Sequence, residues 1–244
     1  QKQLEAKVLQ QDRLASIGIL ASGLAHEVGT PLGVVRGRAE FLMMQPEAET
    51  PVLKSGLQVI VSQIDRISKL IHSLLRFSRS TDDVRMREVQ LLDVIHEVEN
   101  LIGQSVRDNH IELRIVVPAG QQVFADFNRL QQIILNLVVN AVHAIQTSLR
   151  NGHEGPHALT IQSVTRVHNQ KEQVRIVIKD TGCGIAPQNM RKLFQPFFTT
   201  KDVGEGTGLG LAIVSKLVHE MGGEIRVDSV LGEGTQFTLH LAKV

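Results

Sequence analysis

Apolar positions recur along this chain with two different periods, and the place where the period changes divides it. Leu14, Ile17, Ala21, Leu24, Val28, Leu32, Val35 and Leu42 follow one another at close to three- and four-residue steps, the spacing of a helix with a single apolar seam. This predicts a first helix from about Leu4 to Gln45. PEAETP, Pro46 to Pro51, carries proline at both ends and reads as a turn. A second helix follows, with Leu53, Leu57, Ile60, Ile64, Ile67, Ile71 and Leu74 in strict four-three order. Two helices joined this way form an antiparallel hairpin, and a lone hairpin leaves its seam half exposed. Pairing with a second copy into a four-helix bundle, and so a homodimer, is the expected remedy.

The periodicity is lost in SRSTDDVRMRE, Ser78 to Glu88, where small and charged residues gather. We place a linker at residues 81–88, between a hairpin domain of residues 1–80 and a second domain of residues 89–244. Beyond the linker the pattern predicts a helix over Leu91–Ser105 and strands near Ile111–Val117 and Val123–Asp126. A long helix over Phe127–Arg150 comes next, then strands over Ala158–Val167 and Gln173–Lys179. A glycine-rich stretch leads to a helix over Gly208–Met221 and a closing hairpin of Glu224–Ser229 with Thr235–Leu241. Helices and largely antiparallel strands in mixed order predict an α+β sandwich, with helices on one face of a sheet.

Composition narrows the function classes. With 42% apolar and 21% charged residues the chain is ordinary for a soluble globular protein. Up to Ser80 there are 10 basic against 7 acidic residues, and beyond it 16 against 18. Neither part has the basic excess of a nucleic-acid binder. The single cysteine, Cys183, excludes an internal disulfide and, set in a glycine turn with no basic neighbour, reads as a space-filling residue. No uninterrupted apolar run has the length of a membrane span. The polar, helix-favouring opening from Gln1 to Leu14 leads to the expectation of a cytoplasmic fragment whose preceding part held a sensor, membrane-bound or soluble.

Candidate chemistry lies at a few positions. If Ala21 and Val28 are heptad position a and Leu24 is d, His26 is position f and points away from the seam. Glu27 beside it can accept an imidazole N–H and raise the basicity of the other nitrogen, which suits that nitrogen to attack phosphorus. Thr30 lies one turn on, and Pro31 kinks the helix and frees a carbonyl. Asn136 and Asn140 are four apart on the long predicted helix, amides on one side of the apolar run IILNLVVNAV that must find polar partners. Asp180 ends a strand and opens DTGCGI, where Gly182 and Gly184 allow close approach of a flat base while the carboxylate accepts from an exocyclic amine. TTKDVGEGTGLG, directly before a helix, has the makings of a phosphate loop, with Lys201 and the amides of Thr207, Gly208, Leu209, Gly210 and Leu211 supplying positive potential.

HEVGTPL resembles the phosphoacceptor box of two-component sensor histidine kinases, and the resemblance continues in order through the rest of the chain. NLVVNA (Asn136–Ala141), DTGCGI (Asp180–Ile185), FQPFFTTK (Phe194–Lys201), GTGLGL (Gly206–Leu211) and GEGTQF (Gly232–Phe237) look like the N, G1, F, G2 and G3 boxes. A lone glycine hexapeptide is a weak signal, whereas five boxes in one order behind a matching histidine box are a strong one. The resemblance implies a gyrase/histidine-kinase type of ATP-binding sandwich, autophosphorylation of His26 from ATP, and transfer to an aspartate of a response-regulator receiver domain. It further implies Mg²⁺ on Asn140, Thr235 as a second support for the base, and Thr199, Thr200, Lys201 and Gly206 within the nucleotide loop. His143 stands where many relatives have lysine, which makes its phosphate contact weaker or pH-sensitive.

A relative of the gyrase or chaperone type, a conformational ATPase, is the alternative reading. Those ATPases place a water-activating glutamate four residues before the metal asparagine. Here that position is Asn136, which has no useful basicity. By the same resemblance Thr30 orients water against the regulator's phospho-aspartate, giving a phosphatase activity. Thr30→Ala is then expected to keep autophosphorylation and lose dephosphorylation of the partner, measured side by side. Equal loss of both would leave Thr30 a helix-maintaining residue only.

Overall fold

A computed structural model describes residues 32–44, 50–78, 84–153, 155–168, 171–201 and 207–243. These fall into two compact units. One holds the described residues up to Ser78 together with 200, 201 and 207–209, and the other holds 84–199 and 210–243. The expected first helix before residue 32, with His26, Glu27 and Thr30, lies outside the described residues, as does Gly206.

In the first unit a helix over residues 32–43 (α1) precedes α2, Pro51–Ser78. Arg36 of α1 reaches Asp65 of α2 at 2.5 Å and its own Glu40 at 2.9 Å. The heptad seam of α2 divides into two columns. Leu57 and Ile64 are buried at 6% and 5% exposure, together with Ala39 of α1, whereas Leu53, Ile60 and Ile67 remain 47%, 43% and 38% exposed. Among the described residues, one column of the seam is covered and the other is exposed.

The second unit begins with β1, Arg87–Gln90, so two residues expected in the linker, Arg87 and Glu88, are strand. Then come α3 (Leu91–Asp108), β2 (Glu112–Val116), β3 (Gln122–Ala125) and α4 (Phe127–Arg150). β4 (Ala158–His168) and β5 (Lys171–Asp180) follow, then the short α5 (Pro187–Met190), α6 (Gly210–Glu220), β6 (Glu224–Val230) and β7 (Gly234–Ala242). β1 pairs with β3 in a small antiparallel sheet, and the main sheet has the order β2-β4-β5-β7-β6. β2 runs parallel to β4, and the remaining pairs are antiparallel. This mixed α/β architecture is the expected α+β sandwich.

Helices α3, α4 and α6 are amphipathic, and their apolar stripes make the core. α3 buries Val94, Ile95, Val98 and Ile102, α4 buries Leu130, Ile133, Ile134, Leu137 and Ile145, and α6 buries Ile213, Val214 and Leu217. Each fully buried Leu or Ile is worth about 1.5–3 kcal/mol over an exposed one. Among the described residues α4 alone is long and apolar enough to cross a membrane, yet it packs against α3, α6 and strands β4, β5 and β7 as the central core helix. Its N-cap is Asp126, whose Oδ1 accepts from Arg129 N at 3.1 Å while Oδ2 accepts from Arg85 N at 2.9 Å. Arg129 is ion-paired with Glu220, which joins the start of α4 to the end of α6.

Candidate nucleotide site

Three neighbouring strands are apolar along their inward columns until the last position. On β5 the column runs Val174, Ile176, Ile178 and then Asp180; on β7 it runs Leu241, Leu239, Phe237 and then Thr235. On edge strand β6 it runs Ile225, Val227 and then Ser229. The register sets Asp180 opposite Thr235 and Thr235 opposite Ser229. A row of three polar side chains thus floors one end of the sandwich, where burial forces each to find a partner.

Asp180 is 3% exposed. Its Oδ1 accepts from Gly182 N at 2.8 Å and Thr235 N at 3.3 Å, which leaves the lone pairs of Oδ2 for a ligand. Burial pushes its carboxyl up to about 6, against the opposing pull of the two backbone N–H groups. The acid is therefore ionised at neutral pH but titrates close below it.

The loop after β5 is held by glycine at two places. A Cβ on Gly182 would come within 2.6 Å of Ala144 on α4, so only glycine lets the loop touch the helix. Cys183 N then donates to Ala144 O at 3.1 Å. Gly184 has φ +66, and a Cβ there would overlap the Val230 carbonyl. Gly232 N donates to Cys183 O at 2.8 Å, which wedges the loop between α4 and the β6–β7 turn.

On α4, Asn136, Asn140 and His143 are all half-buried. A Cβ on Gly210, the first residue of α6, would lie 3.8 Å from Asn136 Oδ1 and 4.0 Å from Asn140 Nδ2. The N-terminus of α6, with Leu211 next in line, therefore abuts both amides and adds its partial positive charge there. Ala144 is four residues beyond Asn140, or about 6 Å along the helix. The loop after Asp180 therefore meets α4 about one helical turn from the amide cluster.

Asn136, Asn140, His143, Asp180, Gly182, Gly184, Thr199, Gly210, Leu211 and Thr235 belong to one unit, whereas Thr200, Lys201, Thr207, Gly208 and Leu209 belong to the other. Gly208 adopts φ +67, and Leu209 N donates to Thr207 Oγ1 at 3.3 Å. That amide already has an acceptor in the chain. Among the described residues no three His, Cys, Asp or Glu side chains gather into a metal site. A divalent cation here would depend on an amide oxygen and on phosphates, a donor set that suits Mg²⁺. Ser229 and Asp126 escaped the sequence reading. The signal for Ser229 was present as a hydroxyl in an otherwise apolar inward column.

Residues 125–244 match the family described as histidine kinase-, DNA gyrase B-, and HSP90-like ATPase, and residues 16–83 match the His Kinase A (phospho-acceptor) domain. The sensor histidine kinase ZraS of Salmonella typhimurium is 34% identical over 233 residues, covering 95% of this chain and 47% of that protein. The signal transduction histidine-protein kinase AtoS of Escherichia coli is 36% identical over 244 residues, covering 98% of this chain and 37% of that protein. The chain thus spans half or less of the length of these relatives. Among solved structures, full-length ShkA in complex with AMPPNP superposes with a TM-score of 0.69 at 29% identity, covering 92% of this chain and 46% of that one. The catalytic domain of histidine kinase ThkA gives 0.54 at 29% identity, covering 65% of this chain and 96% of that one.

Proposed function

The chain belongs to the sensor histidine kinases and carries their phosphoacceptor and ATP-binding domains, and on that premise we propose that it binds Mg-ATP, phosphorylates itself on His26 and passes the group to an aspartate of a response regulator. The observation that carries the nucleotide part is the acceptor Oδ2 of Asp180 at the buried floor, followed by a loop that meets α4 at Ala144, four residues from Asn140, whose amide abuts the α6 N-terminus. A 6-amino purine donates its N6–H to that oxygen, and the phosphates extend toward the amides. Mg²⁺, held by Asn140, would neutralise phosphate charge there.

Asn136 offers no base to activate water, so ATP is held without ready hydrolysis and the γ-phosphoryl group is available to an imidazole. The nitrogen of His26 attacks phosphorus, ADP leaves, and Glu27 accepts the hydrogen bond of the other ring nitrogen, which stabilises the charge on the ring. The regulator's carboxylate then takes the phosphoryl group and returns the imidazole. Incubation with γ-labelled ATP and Mg²⁺ tests this reading. Label on the protein with little free phosphate supports it, and steady phosphate release from unlabelled protein would replace it with a conformational ATPase.

The same reading includes a homodimer working on the cytoplasmic side. Its support is the exposed column Leu53, Ile60 and Ile67 on α2, three apolar side chains at heptad spacing that a second hairpin would cover. Ile60→Glu is expected to shift the protein to monomer in sedimentation equilibrium. An unchanged mass would place the dimer contact elsewhere.

A further inference from the structure

The hydroxyl of Ser229 ties together three segments around the base floor. Ile185 N donates to Ser229 Oγ at 2.9 Å, Ser229 Oγ donates to Gly234 O at 2.9 Å, and Ser229 Oγ lies 2.9 Å from Thr235 Oγ1. A serine hydroxyl has one proton and two lone pairs. The Gly234 carbonyl can only accept, so it takes that proton. The Ile185 amide can only donate, so it takes one lone pair. The remaining lone pair can be used by Thr235 in one way, by donating its own hydroxyl proton. Valence alone thus fixes the direction of the ambiguous bond. Thr235 Oγ1 is left with lone pairs only.

Next to Thr235 in the register stands Asp180, whose Oδ2 is also an acceptor. We infer that Ser229 is a positioning residue for nucleotide selection: by holding the Thr235 proton it makes the floor a pair of adjacent acceptors, which favours a 6-amino purine and opposes a 6-oxo purine. The inference rests on the nucleotide reading above. A 6-oxo group would face two acceptors with no donor to meet it, and a site whose buried polar groups are mismatched rejects the wrong ligand strongly. Without Ser229, Thr235 Oγ–H is free to turn and donate to that oxygen.

The test compares ATP with inosine triphosphate, which carries oxygen in place of the amine, by titration calorimetry in the presence of Mg²⁺. Wild-type protein is expected to prefer ATP; failure to bind ATP at all would overturn the nucleotide reading itself. Ser229→Ala is expected to narrow the ATP-to-inosine triphosphate preference by roughly tenfold, and Ser229→Thr, which keeps the hydroxyl, to restore it. In a Thr235→Val background Ser229→Ala should no longer change the ratio, because the proton it directs is gone. Melting curves accompany each variant, and if Ser229→Ala does not fold, Ser229→Cys carries the same comparison. Equal weakening of both nucleotides with an unchanged ratio would overturn the inference while leaving the ATP reading intact, since a merely structural serine shifts both affinities together.

Discussion

His26→Ala is expected to abolish protein-bound label from γ-labelled ATP while nucleotide affinity stays at the wild-type value. The loss is total because His26 is the one histidine in the sequence of the predicted first helix. Affinity survives because the floor residues Asp180 and Thr235 and the amides Asn136 and Asn140 belong to the unit of residues 84–199 and 210–243, remote in sequence from the acceptor. Alanine at heptad position f also favours helix, so folding should not suffer. Autoradiography and titration calorimetry on one preparation read both halves. Stoichiometric label in the variant would remove His26 from the mechanism.

Asp180→Asn is expected to weaken ATP binding by roughly a hundredfold, the scale of replacing a charge-assisted acceptor with a mismatched donor. The amide oxygen can still accept from Gly182 N and Thr235 N, but the NH₂ then stands where, on the proposed reading, Oδ2 would meet the N6 amine. The same substitution should stabilise the free protein. The folded carboxyl titrates near 6, above its ordinary 3.8, because burial disfavours the charge. The folded state therefore holds the proton more tightly than the unfolded one, and the ionised acid destabilises the fold at every pH above about 6. That cost, on the order of 3 kcal/mol, fades as pH falls from 6 to 4. Asn should accordingly raise the melting temperature at pH 8 and lose its advantage near pH 4. Wild-type ATP affinity should likewise drop about tenfold per pH unit below 6 as the acceptor is protonated. A variant that bound ATP normally, or melted lower at pH 8, would contradict the placing of this carboxylate.

The helices were legible because their signal is local. The apolar stripe of IILNLVVNAV and the capping Asp126 set α4 at Phe127–Arg150, the bounds the periodicity predicts. Strand β1 was not legible, since REVQ is four residues in a charged stretch and owes its form to pairing with β3. Nor was the parallel pairing of β2 with β4, because an alternating strand carries the same pattern in either direction. In the site, Asp180 and Asn140 stand out as polar groups where apolar ones are expected. Ser229 carries the same kind of signal but sits on a half-buried edge strand, where a hydroxyl attracts no notice until the register puts it beside Thr235. That Thr200 and Thr207–Leu209 group with the hairpin unit depends on contacts between segments far apart in the chain, which no local pattern records.

On the proposed mechanism the phosphoryl group of ATP comes to rest on the nitrogen of His26. A phosphorus–nitrogen bond breaks in acid and survives alkali, whereas a serine or threonine phosphate survives acid and an acyl phosphate is lost in alkali. Labelled protein, divided between acid and alkali and then digested and sequenced, tests this most directly. Label is expected to be lost in acid, retained in alkali and recovered on the peptide that contains His26. Acid-stable label, or alkali-stable label on any other peptide, would contradict it.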